Sequence, residues 1–84
     1  MKFSIEAKFN NARAGRLTVN NKTIATPSFM TIGTYGSVKT MDPIDLVNCK
    51  VEIILSNAFH LMLRPGLDLI QRYGGLHQFM GWDG

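Results

Sequence analysis

The first nine residues alternate between apolar and polar side chains. The apolar members of this alternation are Phe3, Ile5, Ala7 and Phe9. A period of two is typical of a β-strand that has one buried face. We therefore predict a half-buried strand over residues 2–9.

Two shorter segments of similar character follow, over residues 16–19 and 23–26. Asn20-Asn21-Lys22 separates them, and asparagine tolerates the positive φ angles of tight turns. Asn10-Asn11 offers an earlier turn of the same kind. Residues 1–27 are thus predicted to form an antiparallel meander of about three strands.

The pattern changes after Pro27. Residues 28–32 predict a short apolar strand, and residues 51–55 a nearly continuous apolar strand of the kind that is covered on both faces in parallel sheets. Between them, Asp42 and Pro43 are a favoured N-cap and first helical residue, which predicts a helix over residues 43–49. Strand, helix and strand in this order indicate a βαβ unit.

The remaining residues predict a loop with a helical turn over 56–66 and a second helix over 67–73, which ends at Gly74-Gly75. Residues 76–84 carry Leu, Phe, Met and Trp side chains, but no later element receives them. The predicted fold class is α/β, with residues 28–84 as the first two βα units of an incomplete TIM (β/α)8 barrel. A complete barrel takes about 250 residues, so we expect the chain to stop within an unfinished fold.

Composition limits the classes of protein that fit. The 45% hydrophobic content argues against disorder, and no apolar run approaches the roughly 20 residues that span a bilayer. The start lacks the apolar core of a secretory signal, so we expect a cytoplasmic protein without membrane contact. Cys49 is the one cysteine, and with His60 and His77 alone it supplies neither a disulfide nor a four-ligand zinc site.

The net charge of +3 is concentrated in the first half of the chain, where residues 1–42 carry six basic and two acidic side chains. Such sparse basic residues are typical of a solvated face and only sometimes bind phosphate. Charge alone does not indicate a nucleic-acid partner.

Three segments resemble one enzyme family when taken together. They are residues 26–39, with Thr-Pro-Ser-Phe-Met and Ile-Gly-Thr; residues 53–66, with Asn-Ala-Phe-His-Leu-Met-Leu-Arg-Pro-Gly; and residues 74–82, with Gly-Gly-Leu-His and Phe-Met-Gly-Trp. The chain resembles the N-terminal part of the tRNA-guanine transglycosylases, also called queuine tRNA-ribosyltransferases. No general packing or turn rule demands the middle segment, which makes it the most specific of the three.

The resemblance implies a (β/α)8 barrel enzyme that exchanges guanine at the tRNA wobble position for queuine or a precursor base. Its covalent chemistry uses an aspartate nucleophile, a second aspartate and a structural zinc held by three Cys and one His. None of these groups falls within the matching segments, so for this chain we expect no catalytic residue and no cofactor. The segment from Lys39 to Leu46 resembles part of the family's homodimer contact.

By its place in the motif, Asn57 is expected near the ribose and base pocket, with Val38 and Leu55 lining the same pocket. The end of a barrel strand is also where such enzymes keep functional residues. Alternatively, the Asn57 amide satisfies backbone groups at the end of the strand. His60 is interpreted as structural, and Arg64 as a partner for a carboxylate or, less favoured, a phosphate.

Asp42 and Asp45 resemble a pair of carboxylates, but both fall in the first turn of a helix, where the dipole favours negative charge. The hypothesis for the whole chain is a fragment of a transglycosylase that is inactive by itself. The alternative is a small non-catalytic module that pairs with a full-length transglycosylase or with tRNA.

Overall fold

The computed structural model describes residues 1–84. Strands β1 (Lys2–Phe9), β2 (Ala12–Val19) and β3 (Lys22–Thr26) form an antiparallel sheet in that order. The predicted meander is confirmed, although β2 begins four residues earlier than its apolar pattern suggests. Asn20 and Asn21 have φ angles of 46° and 67°, as their predicted turn requires.

Every residue of β1 is exposed, so the prediction of a half-buried strand is wrong for burial. The Phe9 side chain is 79% exposed. The pairing register also shifts between Ile5 and Ala7, and this bulge interrupts the strict alternation. The alternation identifies a strand correctly, but burial of one face of the strand also needs a second layer of structure packed against the sheet. Strand β1 lies at the edge of the sheet and pairs only with β2.

A second, two-stranded sheet pairs β4 (Thr31–Ile32) with β5 (Ile54–Leu55) in parallel, and α1 (Pro43–Asn48) connects them. The predicted βαβ order is confirmed, and α1 begins at the predicted proline. Both strands are shorter than residues 28–32 and 51–55, because only two residues of each are paired. Neither strand of this pair has a further strand on its outer side, so nothing holds additional residues in the hydrogen-bond ladder.

Three helices follow: α2 (Ala58–Leu63), α3 (Leu67–Arg72) and α4 (Leu76–Met80). Helix α3 is predicted to within a residue, and the predicted helical turn after β5 is a helix. No element follows the last apolar residues, as expected, but residues 76–80 form the helix α4, which was not predicted. The following Trp82 is 6% exposed, so this side chain is buried within the chain.

The core is small, and its four buried apolar side chains are Ile24, Leu46, Leu61 and Trp82. The accessible surface is 6769 Å², against about 5,000 Å² for a compact monomer of this mass. The radius of gyration is 14.8 Å, against about 12 Å for a compact domain of this length. The chain is a mixed α/β structure that leaves much of its apolar surface uncovered.

Candidate functional site

The carboxyl ends of β4 and β5 lie side by side. The Gly33 N–H, directly after β4, donates a hydrogen bond to the Leu55 carbonyl at the end of β5, with 2.8 Å between N and O. A Cβ atom at Gly33 would lie 2.9 Å from Cγ2 of Ile54, so the close approach requires glycine. The two loops that follow the strands therefore start at one edge, where α/β sheets place their ligands.

A surface depression of about 440 Å³ lies at this edge. Its lining residues are Ile32, Thr34, Leu55, Ser56, Asn57 and Ala58. Leu55 is 51% exposed and offers an apolar surface beside the Asn57 amide. Apolar lining with a few placed polar groups is the usual composition of a small-molecule site.

Asn57 is the N-cap of α2. Its side-chain Oδ1 accepts hydrogen bonds from the backbone N–H groups of Phe59, at 3.1 Å, and His60, at 3.3 Å. The structural interpretation of this residue is therefore confirmed. Because Oδ1 is occupied by the cap, the Nδ2 amino group is the part of Asn57 that is left to meet a ligand, and it can only donate.

Val38 lies outside the depression. It is half-buried in the loop before α1, and its carbonyl accepts a hydrogen bond from the Met41 N–H at 3.1 Å. The structure thus brings Leu55 and Asn57 together and leaves Val38 apart from them. The binding roles of all three residues stay predictions.

Tyr35 is a polar residue of this edge that the sequence analysis did not single out. Its hydroxyl lies 3.3 Å from Nδ1 of His60, and the two rings meet edge to face with their centroids 5.4 Å apart. This contact agrees with the structural interpretation of His60. The sequence signal that could have identified Tyr35 is its position in the loop directly after a strand of the parallel pair.

The remaining candidates are the acidic pair, Asp42 and Asp45, and the basic residue Arg64. The Asp42 N–H donates to Oδ2 of Asp45 at 2.9 Å, which confirms that this acidic pair stabilises the start of α1. Arg64 has no carboxylate within 4.0 Å, since the salt bridge of the chain joins Arg16 and Glu6.

The residues of this chain do not fit a metal site. No group of three His, Cys, Asp or Glu side chains comes close enough to hold an ion. No helix has the length and apolar character needed to cross a bilayer. The chemistry of the edge therefore consists of its hydrogen bonds and its apolar lining.

Comparison with known proteins identifies the chain's relatives. The family model described as queuine tRNA-ribosyltransferase matches residues 8–84. A queuine tRNA-ribosyltransferase of Herminiimonas arsenicoxydans is 60% identical over 73 residues, which cover 87% of this chain and 20% of the relative. That of Chromobacterium violaceum is 49% identical over 83 residues, or 99% of this chain and 22% of the relative.

A third relative, from Nitrosospira multiformis, is 52% identical over 84 residues, which are 100% of this chain and 23% of the relative. The chain therefore spans between a fifth and a quarter of the length of these relatives. The matched region includes both strands of the parallel pair and the whole depression. On this evidence the chain belongs to the queuine tRNA-ribosyltransferase family.

Proposed function

We propose that this chain is the N-terminal part of a tRNA-guanine transglycosylase, which exchanges guanine for queuine or a precursor base at the tRNA wobble position. The observation that carries the proposal is the family match over residues 8–84. The parallel pair and its connecting helix support it, because strand, helix and parallel strand are the repeating unit of a (β/α)8 barrel. Residues 1–27 form the meander that precedes the barrel, and residues 28–84 its first two βα units.

In this proposal the depression at the ends of β4 and β5 becomes part of the nucleotide site. Leu55 contributes apolar contact within the depression. Val38 lies outside it, in the loop before α1, and is proposed to line the nucleotide pocket only in the complete enzyme. The Nδ2 group of Asn57 donates to an acceptor oxygen of the ribose, because Oδ1 is committed to the helix cap. Since the chain spans between a fifth and a quarter of these relatives, we expect the nucleophile and the zinc ligands to come from the remainder of the enzyme.

The direct test measures incorporation of radiolabelled guanine into unmodified tRNA by the protein expressed from its complete natural reading frame, hereafter the full-length protein. We expect exchange with tRNA that has guanine at the wobble position and none with tRNA that has another base there. The polypeptide of residues 1–84 alone is expected to show no exchange. Absence of exchange by the full-length protein contradicts the proposed function.

Two substitutions separate the two tasks of Asn57. Asn57→Asp keeps an oxygen that caps α2 but removes the amino group, so we expect a loss of exchange with little change in stability. Asn57→Ala removes both functions. Asn48→Ala is the matched control, since Asn48 is an exposed asparagine at the end of α1. Equal activity of all three variants contradicts the binding role of Asn57.

A second function is favoured by the uncovered apolar surface. Side chains such as Phe29, at 81% exposure, and Ile44, at 72%, have no cover within the chain. Under the alternative, a full-length transglycosylase covers them and the chain acts as a non-catalytic module that pairs with this relative or with tRNA. Sedimentation of the 84-residue polypeptide with a full-length relative, and separately with tRNA at two salt concentrations, distinguishes the alternatives.

A further inference from the structure

Tyr35 and His60 join the loops that follow the two parallel strands. Tyr35 comes three residues after β4, and His60 lies in the first turn of α2, directly after β5. The phenol oxygen and Nδ1 are 3.3 Å apart, and the edge-to-face contact of the rings adds a second interaction between the same residues. This pair therefore connects the two loops at the edge of the sheet where the depression lies.

His60 is also connected to Asn57. The His60 backbone N–H donates to Oδ1 of Asn57 at 3.3 Å, in the bond that caps α2. A path of two hydrogen bonds thus runs from the Tyr35 hydroxyl, through His60, to the Asn57 amide. Since Oδ1 is held by the cap, the orientation of the first turn of α2 decides where the Nδ2 group of Asn57 points.

We propose that Tyr35 is a positioning residue, whose hydroxyl fixes His60 and thereby aims the Asn57 amino group at the nucleotide. The phenol oxygen and Nδ1 of His60 share this hydrogen bond, and the His60 tautomer sets which of the two donates. Tyr35 itself does not touch the reacting atoms. This inference rests on the proposed base-exchange function, which it extends by a residue outside the predicted pocket.

The test compares Tyr35→Phe with Tyr73→Phe in the full-length protein. Tyr35→Phe keeps the ring contact and removes only the hydroxyl. Tyr73 is the matched control, because its ring also meets a neighbour edge to face, at 5.6 Å from Phe79, and its hydroxyl has no hydrogen-bond partner in the chain. Loss of one hydrogen bond of ordinary strength lowers kcat/KM by about three- to tenfold, and we expect this for Tyr35→Phe alone.

A double substitution separates positioning from a general structural role. If Tyr35 acts through Asn57, Tyr35→Phe lowers kcat/KM in the natural background but has no further effect when Asn57→Ala is already present. Additive losses overturn the proposal, because they show that the hydroxyl acts independently of Asn57. Equal activity of Tyr35→Phe and the control overturns it as well.

Amide hydrogen exchange tests the path without reference to activity. Tyr35→Phe is expected to accelerate exchange of the His60 N–H, the group that bonds to Asn57, while Tyr73→Phe leaves it unchanged. If the full-length protein does not exchange guanine but the His60 amide responds, the proposed function fails and the structural path stands. If the enzyme is active but the His60 amide does not respond, the positioning role of Tyr35 is overturned.

Discussion

The side-chain carboxylate of Glu52 accepts a hydrogen bond from the backbone N–H of Ala25, with 2.8 Å between Oε2 and N. Ala25 lies in β3, whose only strand partner is β2, so one edge of this strand carries unpaired backbone groups. Glu52 lies two residues before β5. One side chain therefore satisfies a backbone donor of the antiparallel sheet and ties that sheet to the parallel pair.

Removal of this carboxylate is expected to destabilise the protein. Glu52→Ala leaves the Ala25 N–H without its partner and should lower the free energy of unfolding by about 1 kcal/mol. Glu52→Gln keeps an acceptor oxygen and should lose less. Urea unfolding of the full-length protein measures both, with Asp83→Ala, an exposed carboxylate without a hydrogen bond, as control. Equal stability of Glu52→Ala and this control contradicts a stabilising role for the hydrogen bond between Glu52 and Ala25.

The cap of α2 leads to a second stability prediction. Asn57→Ala removes the acceptor for two backbone N–H groups and should cost about 1 kcal/mol of unfolding free energy. Asn57→Asp should retain the natural stability, because an aspartate oxygen caps equally well and carries the charge that a helix start favours. Chemical denaturation distinguishes them, and a loss as large in Asn57→Asp as in Asn57→Ala argues against capping.

Gly36 is required for two separate reasons. Its φ is +75°, and a Cβ atom there would lie 2.9 Å from Cε1 of the Phe79 ring. Gly81 has a similar φ, of +68°, but an added Cβ there meets only Cγ of Pro43, at an ordinary contact distance of 3.9 Å. Gly36→Ala should therefore be less stable than Gly81→Ala by about 1 kcal/mol or more, because the overpacking cost adds to a similar backbone strain. Thermal unfolding of the two variants under the same conditions measures the difference, and equal losses exclude a role for the ring contact.

Trp82 is the largest of the buried core side chains, at 6% exposure. Truncation to alanine should cost about 3 kcal/mol or more, since it removes apolar contact and leaves a cavity. Asn48, an exposed polar residue at the end of α1, is the control, and we expect Asn48→Ala to change stability by less than about 0.5 kcal/mol. Denaturant midpoints of both variants test this ranking, and similar losses of stability in the two variants would contradict it.

The elements that follow from neighbouring residues were predicted well. The strand over residues 2–9, the asparagine turns and the start of α1 at Pro43 depend on local backbone preference, and the structure has all of them. The lengths of β4 and β5 were overestimated, because an apolar run does not show how many residues find a partner strand. Helix α4 was missed because its five residues are too few for a clear period.

The family follows from residue order alone, through the run from Asn57 to Gly66 and its companion segments, and so do the local conformations that chain neighbours control. Which side chains are buried, and which ones meet, follows only from the packing of the folded chain. Tyr35 and His60 are 25 residues apart in the chain, and Ala25 and Glu52 are 27 apart. No local pattern encodes such pairs, because they exist only after the parallel strands have brought their loops to one edge and the sheet has packed beside them.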